Sequence, residues 1–241
     1  MIELTTKEIY QNSCEKIASH LEVYDFKYFK SGQKIKKVLG DLTYEIAFGS
    51  SVYNSKGSNV KIKAHVWVKS KKLKKWRLAQ NRPKATDVIA HSDIRYIPKP
   101  WIIGEWNLAS PTEREDVINE IISVITKTIL PYLAKFQDPK TIFNHIIQNQ
   151  DRSFGNSLYP RIDYAFCFLS EEEAKEIVKE YIRIIFKNCD DKNDSLKGFS
   201  RAYETYQEME IEEDHLPTAL FDVVAFYCVK YKWGNLASDV A

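Results

Sequence analysis

With 241 residues, 44% hydrophobic and 28% charged, the chain holds enough apolar material for one large domain or two smaller ones. That composition excludes the disordered, collagenous and disulfide-scaffold classes. The net charge of +2 conceals an asymmetry: residues 1–110 carry 20 Lys+Arg against 10 Asp+Glu, a net of +10, and residues 111–241 carry 15 against 23, a net of −8.

Cys14, Cys167, Cys189 and Cys228 are far apart and show no C-x-x-C spacing, as expected of reduced, buried thiols. The N-terminus has no apolar leader, and the run Phe221 to Val229 contains Asp222 and is too short for a bilayer. A cytoplasmic chain with no membrane partner is therefore expected.

Thr5 or Thr6, with Glu8 three residues on, predicts a capped first helix whose stripe is Ile9, Ser13, Ile17 and Leu21. Phe26 to Lys30 reads as a short strand into Ser31-Gly32-Gln33, and Lys34 to Leu39 continues it or forms another short strand. Leu42 to Phe48 and Val60 to Val68 alternate apolar and polar with a period of two, and Asn54-Ser55-Lys56-Gly57 between them supplies a reversal. This is a β-hairpin with one apolar and one polar face. Ser70 to Arg77 then reads as a short helix or an edge strand. Asn81 to Pro100, with Pro83, Pro98 and Pro100, has no sustained periodicity and is expected to be irregular. Trp101 to Leu108 is expected to be a last strand.

Ser110-Pro111-Thr112-Glu113 carries the signals of a capped start to a long helix through Val117, Ile121, Ile125 and Ile129, which Pro131 bends or ends. Asp138-Pro139 opens another helix. Asn149 to Pro160 is polar and turn-rich, and Tyr164 to Leu169 is a strand or buried segment. Ser170 with Glu173 caps a further helix, and Leu196–Met209 and Leu216–Trp233 make two more. The fold class expected is α+β: an antiparallel sheet flanked by helices in residues 1–137, then an all-helical region in residues 138–241 packed on it.

Lys69, Lys71, Lys72, Lys74, Lys75 and Arg77 place six basic residues in nine around Trp76, a pattern suited to phosphates and a stacked base. The plainer explanation is a solvated element whose lysines blunt a sheet edge. Asp41 and Glu45 with Lys61 and Lys63 invite comparison with Mg²⁺-dependent nucleases. No acid stands two residues before either lysine, so the required carboxylate pair is missing, and Glu45 is expected to face solvent or pair with Lys63. His20, His65, His91, His145 and His215 show no metal-ligand spacing, and His65 reads as a satisfied polar neighbour on the sheet. A Walker loop, a dinucleotide fingerprint and a G-x-S-x-G elbow are all absent, so neither a cofactor nor a catalytic residue is assigned. Four of the five tryptophans, Trp67, Trp76, Trp101 and Trp106, lie in the first half, where they read either as ordinary core aromatics or as an aromatic group lining a cleft on the sheet face away from the helices. Glu204, Glu208, Glu210, Glu212, Glu213 and Asp214 form an acidic patch.

The leading helix, Phe26-Lys27-Tyr28-Phe29, the Leu42 to Phe48 and Val60 to Val68 strands with their Asn-Gly turn, and the helix from Ser110 to Leu130 resemble an uncharacterised bacterial domain family of unknown function. Some members of such families are thought to sit near polymorphic toxins as immunity-type proteins. The resemblance covers residues 5–137, implies no catalytic residues and leaves the helical remainder outside. Three readings follow. The first is a protein-binding or immunity-like module, preferred for its clear packing signals; the second is a nucleic-acid-binding protein using the basic half; the third is an enzyme with an unrecognised cleft.

Overall fold

Thr5 accepts a hydrogen bond from the Glu8 amide while Glu8 reaches back to the Thr5 amide, and this reciprocal cap starts helix α1 (Thr6–Leu21). The computed structural model describes residues 4–55, 57–80, 85–97, 100, 102, 105–149, 159–188, 192–208 and 220–237. After α1 come β1 (Lys27–Phe29), β2 (Lys34–Leu39), β3 (Leu42–Ser50), β4 (Lys61–Ser70), α2 (Lys71–Ala79), β5 (Val88–Asp93) and β6 (Trp106–Asn107). They are followed by α3 (Arg114–Val124), α4 (Leu130–Ala134), α5 (Pro139–Asn149), α6 (Tyr159–Phe168), α7 (Glu171–Asn188), α8 (Lys192–Glu208) and α9 (Leu220–Lys230). The chain divides into two compact units, Met1–Lys71 with Val88–Asp138, and Lys72–Asp87 with Pro139–Ala241.

The first unit is built on an antiparallel sheet of order β1-β2-β3-β4-β5, with β6 also on β4. Gly40, at φ 58°, turns β2 into β3 where Leu39 faces Leu42, a two-residue reversal that needs positive φ. In the central pair Ile46 faces Val66 and Tyr44 faces Val68. Ile35, Tyr44, Ile46, Phe48, Ile62, Ala64, Val66 and Val68 are buried on one side of the sheet. Burying such a side chain contributes about 1.5–3 kcal/mol. α1 packs against β1, β2 and α3. The Tyr10 hydroxyl, donating to the Phe48 carbonyl over 2.7 Å, fixes α1 to β3.

Several expectations are corrected. Residues 88–93 are a strand, although nothing in them alternates, because they pair with β4 along its far edge. Of the strand expected over 101–108, the described residues show Trp106–Asn107 as strand, where the Asn107 side chain accepts from the Val60 amide; Trp101, Ile103 and Gly104 lie outside the described residues, as do Pro83 and Pro98. Ser110 does not cap α3. Its hydroxyl pairs with Thr112, and the helix starts at Arg114, whose guanidinium donates to the Leu108 and Ala109 carbonyls. Pro131 does not end the helix. Residues Ile125–Ile129 widen into a π turn, in which Leu130 donates to the Ile125 carbonyl, and the helix runs on through a proline that has no amide to place.

Arg114–Gln137 is long and apolar enough by composition to cross a membrane. Its Ile118, Ile121, Ile125, Ile129, Tyr132 and Leu133 are buried within the protein, and a third of its most apolar stretch is buried in all.

The second unit is helical. Ser170 and Glu173 make the expected capping box at the start of α7. Of Tyr164 to Leu169, expected as a strand or buried segment, Tyr164 to Phe168 belong to α6, with Tyr164, Ala165 and Cys167 buried. Ile162, Val178, Ile182, Phe199, Val224, Phe226 and Tyr227 form the core, with Phe166, Tyr231 and Trp233 stacked against it. The turn-rich 150–158 and the acids Glu210 to Asp214 lie outside the described residues, as does Cys189.

Candidate functional site

The period of two that buries one side of the sheet sends the other residues of each strand to the opposite side. The register sets these into two rows. In the first, Lys27, Lys36, Glu45, Trp67 and His91 are successive neighbours across β1 to β5; in the second, Phe29, Lys34, Ala47, His65 and Asp93 are. Lys61, Lys63 and Lys69 extend the same face along β4. Lys27, Phe29 and His91 are exposed, and Lys34, Lys36, His65, Trp67 and Lys69 are half-buried.

Glu45 lies at the centre of this face and is only 6% exposed. Its carboxylate is 3.1 Å from Lys36 Nζ, 3.5 Å from Lys69 Nζ and 3.6 Å from Lys34 Nζ. Burial works against the charged form, but the Lys36 hydrogen bond and the Lys69, Lys36 and Lys34 charges outweigh it. The carboxyl is thereby held below its ordinary pKa. Glu45 therefore neither faces solvent nor pairs with Lys63, because Lys63 stands opposite Gly49 and lies 3.9 Å from Glu105. Glu105 also pairs with Lys61. One carboxylate gathers three ammonium groups, and the cluster keeps an excess of positive charge.

Beside it, the rings of Trp67 and His91 lie 3.8 Å apart at 31°, with Lys69 Nζ 5.6 Å from the Trp67 ring centre. His65 stacks behind His91 at 5.7 Å and 18°. Burial and the neighbouring His65 lower the His91 pKa, against the opposing charge of Asp93. The Nδ1 of His65 is buried and has no hydrogen-bond partner among the described residues. The expectation of a satisfied imidazole is corrected: its cross-strand neighbour Asp93 is committed to Arg95, through Nε at 3.0 Å and Nη2 at 2.7 Å.

The basic run is taken apart by the fold. Lys69, on β4, turns to Glu45. Lys71, Lys72, Lys74 and Lys75 are exposed on α2, and Lys72 Nζ lies 4.7 Å from the Phe168 ring centre. Trp76 is half-buried. Arg77 is buried, with Nε donating to Asp163 at 3.0 Å and Nη1 to the Thr86 carbonyl at 2.9 Å. Asp41, the other acid of the nuclease comparison, accepts from the Ser70 hydroxyl. The Glu45 cluster escaped sequence reading because Lys34, Lys36 and Lys69 lie on two strands other than that of Glu45. The available signal was the parity of β2, which places Lys34 and Lys36 on one side.

A second surface feature is the β3–β4 loop. Val52 is 91% exposed and Tyr53 82%. The loop that carries them is tied down: Asn54 both accepts from the Lys61 amide at 2.9 Å and donates to the Lys61 carbonyl at 3.4 Å, and Asn59 donates to the Tyr53 carbonyl at 3.1 Å.

No protein-family model, no curated protein and no solved structure matches this chain.

Proposed function

We propose that the protein is a binding module whose first unit captures a single-stranded nucleic acid on the polar face of its sheet. One observation carries this reading. Cations and rings share the two cross-strand rows, Lys27-Lys36-Glu45-Trp67-His91 and Phe29-Lys34-Ala47-His65-Asp93, with Phe29 and His91 exposed and Trp67 and His65 half-buried. Ammonium groups supply sequence-independent attraction to phosphates, and exposed rings supply stacking surface to unpaired bases. A flat sheet face suits an extended strand better than a compact metabolite. This face is built by β1 to β5, and the exposed lysines of α2 are not part of it. A cytoplasmic location belongs to the same reading, supported by the buried thiols Cys14, Cys167 and Cys228.

The test is fluorescence anisotropy of a labelled single-stranded oligonucleotide of about twelve residues with the full chain, between roughly 50 and 200 mM salt. Affinity falling steeply with salt, and weaker binding of the corresponding duplex, are the expected results. Absence of association at the lowest salt would end this reading.

The immunity-like resemblance favours a protein partner instead, and Val52 and Tyr53 on their pinned loop support that second reading. Two exposed apolar side chains on a hydrogen-bonded turn are arranged as an anchor for a partner's pocket. Poly-L-glutamate as a competitor separates the two. If it displaces the oligonucleotide at equal charge concentration, the face selects acidic polymers in general, and an acidic protein becomes the better partner.

A further inference from the structure

We propose that Lys34, Lys36 and Lys69 around Glu45 form a phosphate subsite, and that the adjoining His91 ring takes the base of the same nucleotide. This rests on the single-stranded nucleic-acid reading above and adds which atoms hold one repeating unit of the strand.

The charge arrangement is the first ground. Three ammonium groups approach one carboxylate to 3.1–3.6 Å, while the carboxylate side chain is only 7% exposed and the lysines are 24–31% exposed. Glu45 pins the lysine heads in place but neutralises one charge of three. The remaining excess is already gathered at one point, so a visiting anion meets side chains whose freedom has been spent on folding. A phosphate offers several acceptor oxygens and bridges more than one ammonium group, which a single chloride ion does less well.

Register is the second ground. Glu45 faces Trp67, and Trp67 faces His91, so two strand spacings of ~4.8 Å separate the carboxylate row position from that of the imidazole. About 10 Å matches the reach from a backbone phosphate across its sugar to the far side of its base. His91 is backed by Trp67 at 3.8 Å and is itself exposed, so its outward face is a supported shelf for a flat ring. The ligand class is a phosphate joined to a nucleobase, in a free nucleotide or in a strand.

The closing experiment uses the full chain and three variants, Lys36→Gln, His91→Ala and Lys74→Gln, with thermal melts to establish folding. Anisotropy is read with single-stranded oligothymidylate and oligouridylate, and calorimetry with uridine monophosphate and with inorganic phosphate. Lys36→Gln should weaken oligonucleotide binding about 10-fold and lower the salt slope by about one. His91→Ala should weaken it at least ~5-fold with the slope unchanged, as for loss of one stacked base. Lys74→Gln on α2 should lower affinity by less than about 2-fold. Should Lys36→Gln destabilise the fold, Lys34→Gln tests the same charge. Uridine monophosphate binding more tightly than inorganic phosphate supports a joined phosphate-and-base site, and uridine monophosphate competing fully with the oligonucleotide assigns it to free nucleotides. Oligonucleotide binding that survives Lys36→Gln, Lys34→Gln and His91→Ala undiminished overturns the subsite and leaves the broader reading standing. No binding by the unaltered chain overturns both.

Discussion

Arg77 and Asp163 are 86 positions apart and both buried, and Arg77 Nε donates to Asp163 Oδ2 over 3.0 Å inside the second unit. Asp163 also accepts from the Tyr227 hydroxyl at 3.3 Å, which joins α2, α6 and α9 through one carboxylate. A buried pair of this kind adds little net stability but costs a great deal to break from one side, because removing one partner leaves the other charge in a poorly solvating interior. Arg77→Ala is expected to destabilise the protein by about 3–5 kcal/mol. Arg77→Met with Asp163→Leu should recover much of that loss. Urea melts of the single and double variants check it; a mild Arg77→Ala would show the pair to be dispensable.

The sheet's two faces make the next prediction. Ile46 is fully buried opposite Val66, whereas Thr43 is half-buried opposite Lys69 on the polar side. Ile46→Asp must bury a carboxylate or take up a proton, a cost of several kcal/mol, roughly the scale of whole-domain stability. Thr43→Asp gains a lysine neighbour and should change stability by less than about 0.5 kcal/mol. Thermal melts in which both variants behave alike would invert the face assignment.

Helix starts can be ranked the same way. Ser170 and Thr5 sit in complete capping boxes, so replacing either by Ala should cost about 1 kcal/mol. Ser110, whose hydroxyl pairs with Thr112, should lose less than about 0.5 kcal/mol as Ala. Equal losses at Ser110 and Ser170, measured by denaturant titration, would restore Ser110 as the cap.

Acid should act through Glu45. Its folded pKa is depressed, so between the folded and unfolded values the unfolded chain binds more protons. The stabilising contribution is present above the ordinary glutamate value of about 4.3 and is lost as pH falls through the lower folded value. Glu45→Gln should therefore start less stable at pH 7 and lose less on acidification. Melts from pH 7 down to about pH 3 decide it; an acid loss as steep as that of the unaltered protein would mean another carboxylate governs.

Much of the sheet was legible because a half-buried strand writes its two faces into alternate residues: Leu42 to Phe48 and Val60 to Val68 are the core pair that their periodicity predicts. β5 was not legible. Val88, Ile89 and Ala90 are consecutive apolar residues with no alternation, and only the presence of β4 alongside makes them a strand. Tyr164 to Leu169 was legible in part: Tyr164 and Ala165 are fully buried as a buried segment would be, but a short apolar run reads equally as strand or helix until its neighbours are known, and Tyr164 to Phe168 are helical. The candidate site was mostly not legible. The parity of β2 could have placed Lys34 and Lys36 on one side, but the burial of Glu45 and the turning of Lys69 and Arg77 toward separate carboxylates depend on contacts made across the fold.

The excursion between β4 and β5 has a consequence for dissecting the gene. Lys69 and Val88 are cross-strand partners, so the chain departs from the sheet and re-enters it at adjacent points. In between, Lys72–Asp87 belongs to the other unit, contributing buried Leu73 and the arginine that meets Asp163. A cut at residue 138 thus yields two mismatched pieces: a sheet still carrying a helix made for another core, and a helical bundle missing one of its members. Clean excision follows the hairpin instead. A tight Asn-Gly turn in place of the excursion would close β4 onto β5, and the removed segment would have to be grafted onto one end of the helical piece to complete it.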